Sequence, residues 1–405
     1  MAMKVPLDIT KEERRLGALA PKIRMIAGII GLLGLAGGIA VSFAGPEGGR
    51  GFFFSYLLNT TYFLTLSIGA LFFVILHHLV RAGWSVVVRR IAEAMAGNLW
   101  ILGIAFLPLL LFGLEEVYVW AQPGAAEHDH LIQHKQAWLN QPFFIGRVVF
   151  YFVVWILLSR YFLSLSTRQD ASGDPMLTVR MERFSGFAMV AFALSVSLAG
   201  FDLLMSLDPH WYSTMFGVYV FSGSTLGFLA FLPLVVMYLQ SRGLLRNAIT
   251  REHYHDIGKL VFAFTVFWAY IAYSQYMLIW YANIPEETIW LLRRQTNGWQ
   301  RIGLVLLLGH FIVPFLVLLP RFMKRRKGLL ALPAVWILIM HWFDLYWVIM
   351  PEMSAEGVPF GLRDVLLFVG IGGIYVAGLA HRLRDRALVP ERDPRLTESL
   401  IMESV

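Results

Sequence analysis

Long apolar stretches recur ten times along the chain, and each is long enough to cross a lipid bilayer. A helix needs about 20 mostly apolar residues to span ~30 Å of hydrocarbon. With 58% hydrophobic and only 15% charged residues, the composition excludes an ordinary soluble domain. The sequence predicts an all-α integral membrane protein with ten transmembrane helices. The predicted spans are 22–43, 56–80, 97–119, 143–165, 184–206, 212–240, 258–282, 300–320, 329–350 and 361–381.

Basic residues are concentrated on one side of this predicted membrane protein. The two ends of the chain and the even-to-odd connections carry 27 of the 34 Lys and Arg residues. Because positive charge favours the cytoplasmic side, both termini are predicted to be cytoplasmic, as segments 1–21 and 382–405. Basic runs such as Lys324 to Lys327 are interpreted as topology signals and not as nucleic-acid sites. The first apolar run lacks a small-residue cleavage site and is expected to be a retained helix.

One short pattern occurs twice, in equivalent places. The string "FDLLMSLDP" at 201–209 returns 142 residues later as "FDLYWVIMP" at 343–351. Both copies end a predicted span at the extracytoplasmic side, four helices apart. The spacing predicts two parallel four-helix bundles, helices 2–5 (56–206) and helices 6–9 (212–350), with flanking helices at 22–43 and 361–381. Independent use of the same helix-ending pattern is the alternative.

Ionisable residues inside these spans are the first candidates for function, because they are costly in a membrane. Asp202 and Asp344 occupy matching positions near the extracytoplasmic ends of their helices, and Glu115, Glu116 and Arg147 lie at similar depth. We expect these side chains to line the interior and to pair, with Arg147 neutralising Glu116 or Asp202. Buried ion pairs that only fix helix packing remain the alternative.

Two histidines are placed near the middle of the membrane. His310 and His341 lie about ten residues from their helix ends, and His341 shares a helical face with Asp344 three residues later. Together these groups suggest a proton path. A single haem held by His310 and His341 is an alternative, although the second His pair of a two-haem cytochrome b is missing.

A second polar line is predicted along the seventh span. Tyr270, Tyr273 and Ser274 share a helical face there and could continue a hydrogen-bonded proton thread. Hydroxyl residues also join membrane helices without carrying protons. The helices are expected to be mostly continuous.

The absence of cysteine limits the redox chemistry of this chain. It excludes Cys-ligated iron–sulfur clusters and covalently attached c-type haem. The loop 121–142 contains three histidines, but a docking surface is a better interpretation than a metal site, and no metal site is predicted.

The string "FDLLMSLDPHWYSTMFGVYVFSGS" at 201–224 resembles the membrane subunits of alternative complex III, a bacterial quinol:electron-acceptor oxidoreductase of the NrfD/PsrC-like superfamily. The length and this string are most similar to the smaller, ActF-type subunit. The resemblance implies a bacterial inner membrane location, quinol or menaquinol oxidation near the extracytoplasmic face, and contact with membrane lipids. It also implies partner subunits: a paralogous membrane subunit, haem c proteins and an iron–sulfur protein.

Residue by residue, the resemblance places Asp202 and Asp344 at the acidic positions of the two bundles and His310 and His341 at proton-conducting positions. The candidate quinone contacts are Asp202, His210, Trp211 and Arg147, and Asp344 with His341 is the alternative pair. The predicted role is a scaffold with quinone contact and proton conduction, without a redox centre of its own. The alternatives are a stand-alone multi-pass transporter and a cytochrome b-type subunit.

Overall fold

The computed structural model describes residues 12–402, and within this range the chain is helical with no β-strand. Among residues 12–402, ten helices are long and apolar enough to cross a membrane, as a multi-pass membrane protein requires. They are α1 Leu19–Ala44, α2 Gly48–Leu79, α3 Val86–Val117, α4 Gln141–Ser172, α5 Met176–Leu207, α6 Phe216–Ser241, α7 Arg251–Ala282, α8 Trp299–Leu318, α9 Lys327–Glu352 and α10 Leu362–Leu383. The basic residues Lys4 and Lys11 lie outside the described range.

Several helices are longer than predicted. Helix α2 begins at Gly48 instead of residue 56, and α3 begins at Val86 instead of residue 97. The first turns of α3 contain charged residues, which a hydropathy criterion places outside the span. In the structure these charges are buried and paired: Nε of Arg90 lies 3.0 Å from Glu93, and its Nη1 lies 2.7 Å from Asp170. The helix therefore continues where apolar character alone predicts a loop.

Most of the spans are continuous, as predicted, but two of them contain a π-helical segment. Helix α3 contains a π-helical segment at Leu109–Gly113, and α8 contains one at Leu307–Ile312. In α8 the cause is visible in the sequence, because Pro314 has no N–H to donate to the carbonyl of His310. The indole of Trp336 donates to the nearby carbonyl of Gly309 at 2.7 Å.

The core of the protein forms around α2, which is the most deeply buried of the spanning helices. Helix α2 packs on α3, α5, α6 and α10, while α6 packs on α5, α7 and α9. Helix α4 packs on α3 and α5, and α8 packs on α7 and α9. Helix α1 is peripheral and packs mainly along α10.

The ends of the helices form two faces of different character. We call the end of the protein that contains Lys135, Pro209, Arg294 and Glu352 the carboxylate face. There Lys135 donates to the carbonyl of Pro209 at 2.5 Å, and Arg294 pairs with Glu352 at 3.1 Å. The opposite, basic face brings the two ends of the described chain together, where the N–H of Leu388 donates to the carbonyl of Arg14 at 2.7 Å.

Lys324, interpreted above as a topology charge, also has a structural role. Its side chain is buried, and Nζ donates to the carbonyls of Leu319 at 3.1 Å and Pro320 at 3.5 Å. Burial lowers the pKa of Lys324. The residue caps carbonyls that the end of α8 leaves without partners.

The contact between α1 and α10 depends on glycine. A Cβ atom added to Gly370 would lie 2.7 Å from the backbone nitrogen of Leu35, whereas one added to Gly28 would meet nothing within 4 Å. We expect Gly370→Val to separate the two helices and to destabilise the protein by about 1–3 kcal/mol, the usual cost of overpacking. Gly28→Val on α1 is the matched control. Equal thermal unfolding midpoints for the two purified variants in detergent would contradict this packing.

Candidate functional site

The Asp202 carboxylate is buried at the carboxylate-face end of α5 and is held by three side chains. Arg147 of α4 donates to it through Nε at 2.8 Å and Nη2 at 2.9 Å. The Tyr151 hydroxyl donates at 2.7 Å and the Trp138 indole at 3.0 Å. The predicted pairing of Arg147 with Asp202 is confirmed.

These four hydrogen bonds use the whole capacity of the Asp202 carboxylate. An ionised carboxylate offers about four lone-pair positions, and here each oxygen accepts two bonds. The Arg147 guanidinium also lies 4.1 Å from the centre of the Trp138 ring. Asp202 therefore forms a closed ion pair with no acceptor position left for a ligand.

Glu115 and Glu116 do not join this buried group. Both are exposed near the end of α3, and Oε1 of Glu115 accepts a hydrogen bond from Gln141 at 3.2 Å. The prediction that they line the interior is therefore wrong. At the end of a helix, a carboxylate can reach the polar boundary without a buried partner.

Asp344, the counterpart of Asp202 on α9, is equally buried but has different partners. It accepts a hydrogen bond from the Tyr219 hydroxyl of α6 and another from the Trp268 indole of α7, the latter at 3.1 Å. No Lys or Arg forms an ion pair with it among residues 12–402. Two of its four acceptor positions therefore remain available.

Asp344 lies in the wall of a large cavity. This cavity has a volume of about 730 Å³ and lies between α7, α8 and α9. Its lining is predominantly apolar and aromatic, with a few polar groups that include Asp344, Tyr219, Gln275 and Arg294. Such a size and lining are typical of small-molecule sites. The cavity opens sideways between α7 and α8, where Tyr270 and Tyr273 are 64% and 63% exposed.

The short helix Pro285–Arg293 covers the cavity at the carboxylate face, and Arg294 holds it there. The buried Arg294 guanidinium donates to the carbonyls of Trp347 at 3.0 Å and Val348 at 2.7 Å, and it pairs with Glu352. Burial lowers the pKa of Arg294 to about 10, against the opposing effect of Glu352. Arg294 is therefore still positively charged at neutral pH, although most of its donors are used within the protein.

Gln275 is the polar group best placed to donate to a ligand in this cavity. Its Oε1 accepts a hydrogen bond from the Ser213 hydroxyl at 3.2 Å. This arrangement leaves the amide N–H groups of Gln275 as donors in the same cavity lining that contains Asp344.

The two membrane histidines lie beside this site. His310 is completely buried next to Trp268, with 4.0 Å between ring centres, and neither of its ring nitrogens has a hydrogen-bond partner. The ring of His341 lies 6.4 Å from that of His310, and its Nε2 is 2.8 Å from the Thr65 hydroxyl of α2. The predicted common face of His341 and Asp344 is confirmed, because both pack against Gly223.

A haem between the two histidines does not fit this packing. The void that reaches His341 has a volume of about 10 Å³, roughly the space for one water molecule. His341 Nε2 is also occupied by Thr65. The predicted alternative of a cytochrome b-type subunit therefore finds no porphyrin slot at these residues.

The thread of hydroxyl groups predicted along α7 is not present. Tyr270 and Tyr273 are exposed on the outer surface at the mouth of the cavity, and Ser274 is half-buried. On the facing helix, the Ser222 and Ser224 hydroxyls donate to carbonyls of their own helix, at 2.8 and 2.7 Å. Ser and Thr hydroxyls in apolar helices commonly donate to a carbonyl of the preceding turn of their own helix.

His210 and Trp211, predicted to contact a quinone beside Asp202, lie elsewhere. His210 Nε2 is 2.5 Å from Asp129, in the loop between α3 and α4. Trp211 stacks on Trp290 of the covering helix, with ring centres 4.2 Å apart. The short connection between α5 and α6 turns these side chains toward the surface loops. Within residues 12–402 no three His, Asp or Glu side chains converge as metal ligands would.

Comparison with known proteins adds no family: neither the known protein families nor the curated proteins contain a match to this chain.

Sequence reasoning missed the aromatic partners of both carboxylates. Tyr151, Trp138, Tyr219 and Trp268 each lie on a different element from the Asp that they contact. An aromatic residue with a polar end is common in membrane helices, so its identity alone gives no signal. Only the packing of the helices shows which of them donate to a carboxylate.

Breaking the Asp202 ion pair should destabilise the protein strongly. Arg147→Met leaves a buried carboxylate without its cation, which typically costs about 3–5 kcal/mol. The double variant Arg147→Met with Asp202→Leu should recover part of this loss, because no unpaired charge remains. Arg301→Met, at an exposed site, is the matched control. If Arg147→Met unfolds at the same temperature as Arg301→Met in detergent, the ion pair does not stabilise the fold.

Proposed function

We propose that this chain is an integral membrane subunit of a respiratory quinol:electron-acceptor oxidoreductase, similar to the smaller membrane subunit of alternative complex III. The observation that carries the proposal is Asp344, a buried carboxylate with unused acceptor positions in the wall of an apolar cavity of about 730 Å³. A quinone site needs an apolar slot for a ring and tail and a few polar groups for the two ring oxygens.

In this proposal the quinol enters sideways from the bilayer, past Tyr270 and Tyr273 at the mouth of the cavity. The ring lies between α7 and α8, where one quinol hydroxyl donates to Asp344 and the other ring oxygen contacts Gln275. Oxidation releases two electrons and two protons. Asp344 accepts the proton of the first hydroxyl, and the proton of the second hydroxyl leaves to water at the carboxylate face. The two electrons would pass to iron–sulfur or haem c centres on partner subunits.

Of the two pairs that the sequence offers for quinone contact, the proposal takes the one at Asp344. Asp202 is less suited to a ligand, because Arg147, Tyr151 and Trp138 saturate its carboxylate. In the proposal, the two Asp residues divide two roles: Asp202 fixes the packing of α4 and α5, and Asp344 meets the ligand. His310 and His341 remain candidates for moving protons away from Asp344, on the basis of their burial beside it.

The finer architecture and location belong to the same proposal. Helices α2–α5 and α6–α9 would form two parallel four-helix bundles that meet along α2 and α6, in keeping with the helix neighbours described above. The basic face would lie in the cytoplasm of a bacterial cell, by the charge distribution. The carboxylate face would then meet the haem-bearing and iron–sulfur partners, and a paralogous membrane subunit would complete the complex.

A stand-alone transporter is the second candidate, and one observation favours it. The π-helical segments of α3 and α8 interrupt the spans, and interrupted helices beside a cavity are a feature of transporter substrate sites. Purification from native membranes distinguishes the two candidates. A transporter would purify alone, whereas a respiratory subunit would copurify with haem-bearing partners.

The proposal is tested by the binding of a short-chain quinol analogue. The indoles of Trp268, Trp290 and Trp347 line the cavity, so a bound quinone ring should quench their fluorescence. Asp344→Asn keeps the shape of the side chain but removes the charge. We expect it to weaken binding about 10- to 100-fold, the effect of losing a hydrogen bond to a charged group.

Two further variants serve as controls for this measurement. Glu115→Gln, at an exposed position, should bind the analogue as the wild type does. Asp202→Asn should lower the thermal stability while leaving the affinity unchanged. If Asp202→Asn weakens binding and Asp344→Asn does not, the quinol site is not at Asp344.

A further inference from the structure

A small void lies beside Asp344, between α2, α5, α6 and α9. Its volume is about 10 Å³, which is the least space that one water molecule needs. Asp344 and Tyr219 line both this void and the large cavity, so the carboxylate lies between the two spaces. The other polar side chains of the lining are Thr65 and His341, and the rest of the lining is apolar.

The contacts of the Thr65 hydroxyl determine which nitrogen of His341 carries a proton. This hydroxyl lies 2.7 Å from the carbonyl of Tyr62 and 2.8 Å from Nε2 of His341. A carbonyl only accepts hydrogen bonds, so the single hydroxyl proton of Thr65 points to Tyr62. The hydroxyl must then accept from His341, which places a proton on Nε2. In a neutral imidazole the other nitrogen, Nδ1, is therefore an acceptor.

Two acceptors face the void, and no protein donor lies between them. Nδ1 of the buried His341 has no hydrogen-bond partner, and the Asp344 carboxylate has two unused acceptor positions. Both border the side-chain position of Gly223, because a Cβ atom added there would lie 3.5 Å from Nδ1 and 3.7 Å from Oδ2 of Asp344. Two acceptors cannot bond each other, and the hydroxyl protons of the described lining are already used.

We infer that this void binds one water molecule, which donates one proton to Nδ1 of His341 and the other to Oδ2 of Asp344. Water fits the space and supplies the two donors that the lining lacks. A buried acceptor without a donor is costly, and buried waters occur where such groups surround a void large enough to hold one.

The water has two consequences for the surrounding structure. It joins Asp344 to α2 through His341 and Thr65, so that both polar residues of α9 are tied to the core helix. It also takes one of the two free acceptor positions of Asp344, which leaves one for a ligand in the large cavity. The inference itself does not depend on the proposed quinol function.

The test is solid-state NMR of the full chain in lipid bilayers, with histidine labelled by ¹⁵N. The His341→Gln variant identifies the signals of His341 by their loss. For the wild type we expect a protonated Nε2, an unprotonated Nδ1, and transfer of magnetisation from water protons to Nδ1.

Two alanine variants locate the water. Gly223→Ala puts a methyl group into the void, between Nδ1 and Oδ2. We expect it to abolish the transfer and to lower the thermal unfolding midpoint by about 2 °C or more, because two buried acceptors lose their donor. Gly200→Ala is the matched control in α5, where the Cβ would meet Val220 at 3.4 Å and Gly217 at 3.6 Å. It should leave the His341 signals unchanged.

Three results would overturn the inference: a protonated Nδ1 in the wild type, no transfer from water to Nδ1, or a transfer that persists in Gly223→Ala. The first two are read from the wild-type protein and its His341→Gln reference. They therefore decide the matter even if Gly223→Ala does not fold.

Discussion

A carboxylate inside a membrane protein must find hydrogen-bond donors, because an unpaired buried charge costs several kcal/mol. The two carboxylates of the repeated Phe-Asp-Leu pattern meet that requirement in two different ways. Asp202 is neutralised by a bidentate hydrogen bond from Arg147, and two further donors occupy its remaining acceptor positions. Asp344 accepts one hydrogen bond from a hydroxyl and one from an indole, and no cation contacts it. The same Phe-Asp-Leu pattern thus produces one closed site and one site that can still accept a ligand. Helix α8 carries no Lys or Arg beyond Arg301, so it offers Asp344 no counterpart of Arg147.

The surrounding structure follows from this difference. Beside Asp344, α7, α8 and α9 line an apolar cavity, whereas the space beside Asp202 is filled by Arg147, Tyr151 and Trp138. The covering helix Pro285–Arg293 is fixed to the end of α9 through Arg294, whose donors go to backbone carbonyls and Glu352. The π segment of α8 places His310 against Trp268, which itself donates to Asp344. The cavity, its cover and the buried histidine are therefore parts of one connected arrangement.

The sequence was sufficient to predict what depends on local composition. Apolar length predicted all ten spanning helices, and helical spacing predicted that His341 and Asp344 share a face. It failed where the result depends on contacts between distant elements. His210, predicted to lie near Asp202, contacts Asp129 of another loop, and Tyr270, predicted on an internal proton thread, is exposed. The predicted start of α3 is too late because buried ion pairs at the basic face keep its charged first turns helical. Nothing in the chain's local pattern distinguished Asp202 from Asp344, since the difference comes from their partners on other helices.

The central claim is that Asp344, and not Asp202, meets a quinol headgroup. A density map of the assembled complex from native membranes, prepared with a quinol analogue, tests it most directly. The account predicts density for the ring between α7 and α8, within hydrogen-bond distance of the Asp344 carboxylate and beneath the helix Pro285–Arg293. A ring found beside Asp202, or a cavity at Asp344 that holds only acyl chains while the analogue binds elsewhere, would contradict it.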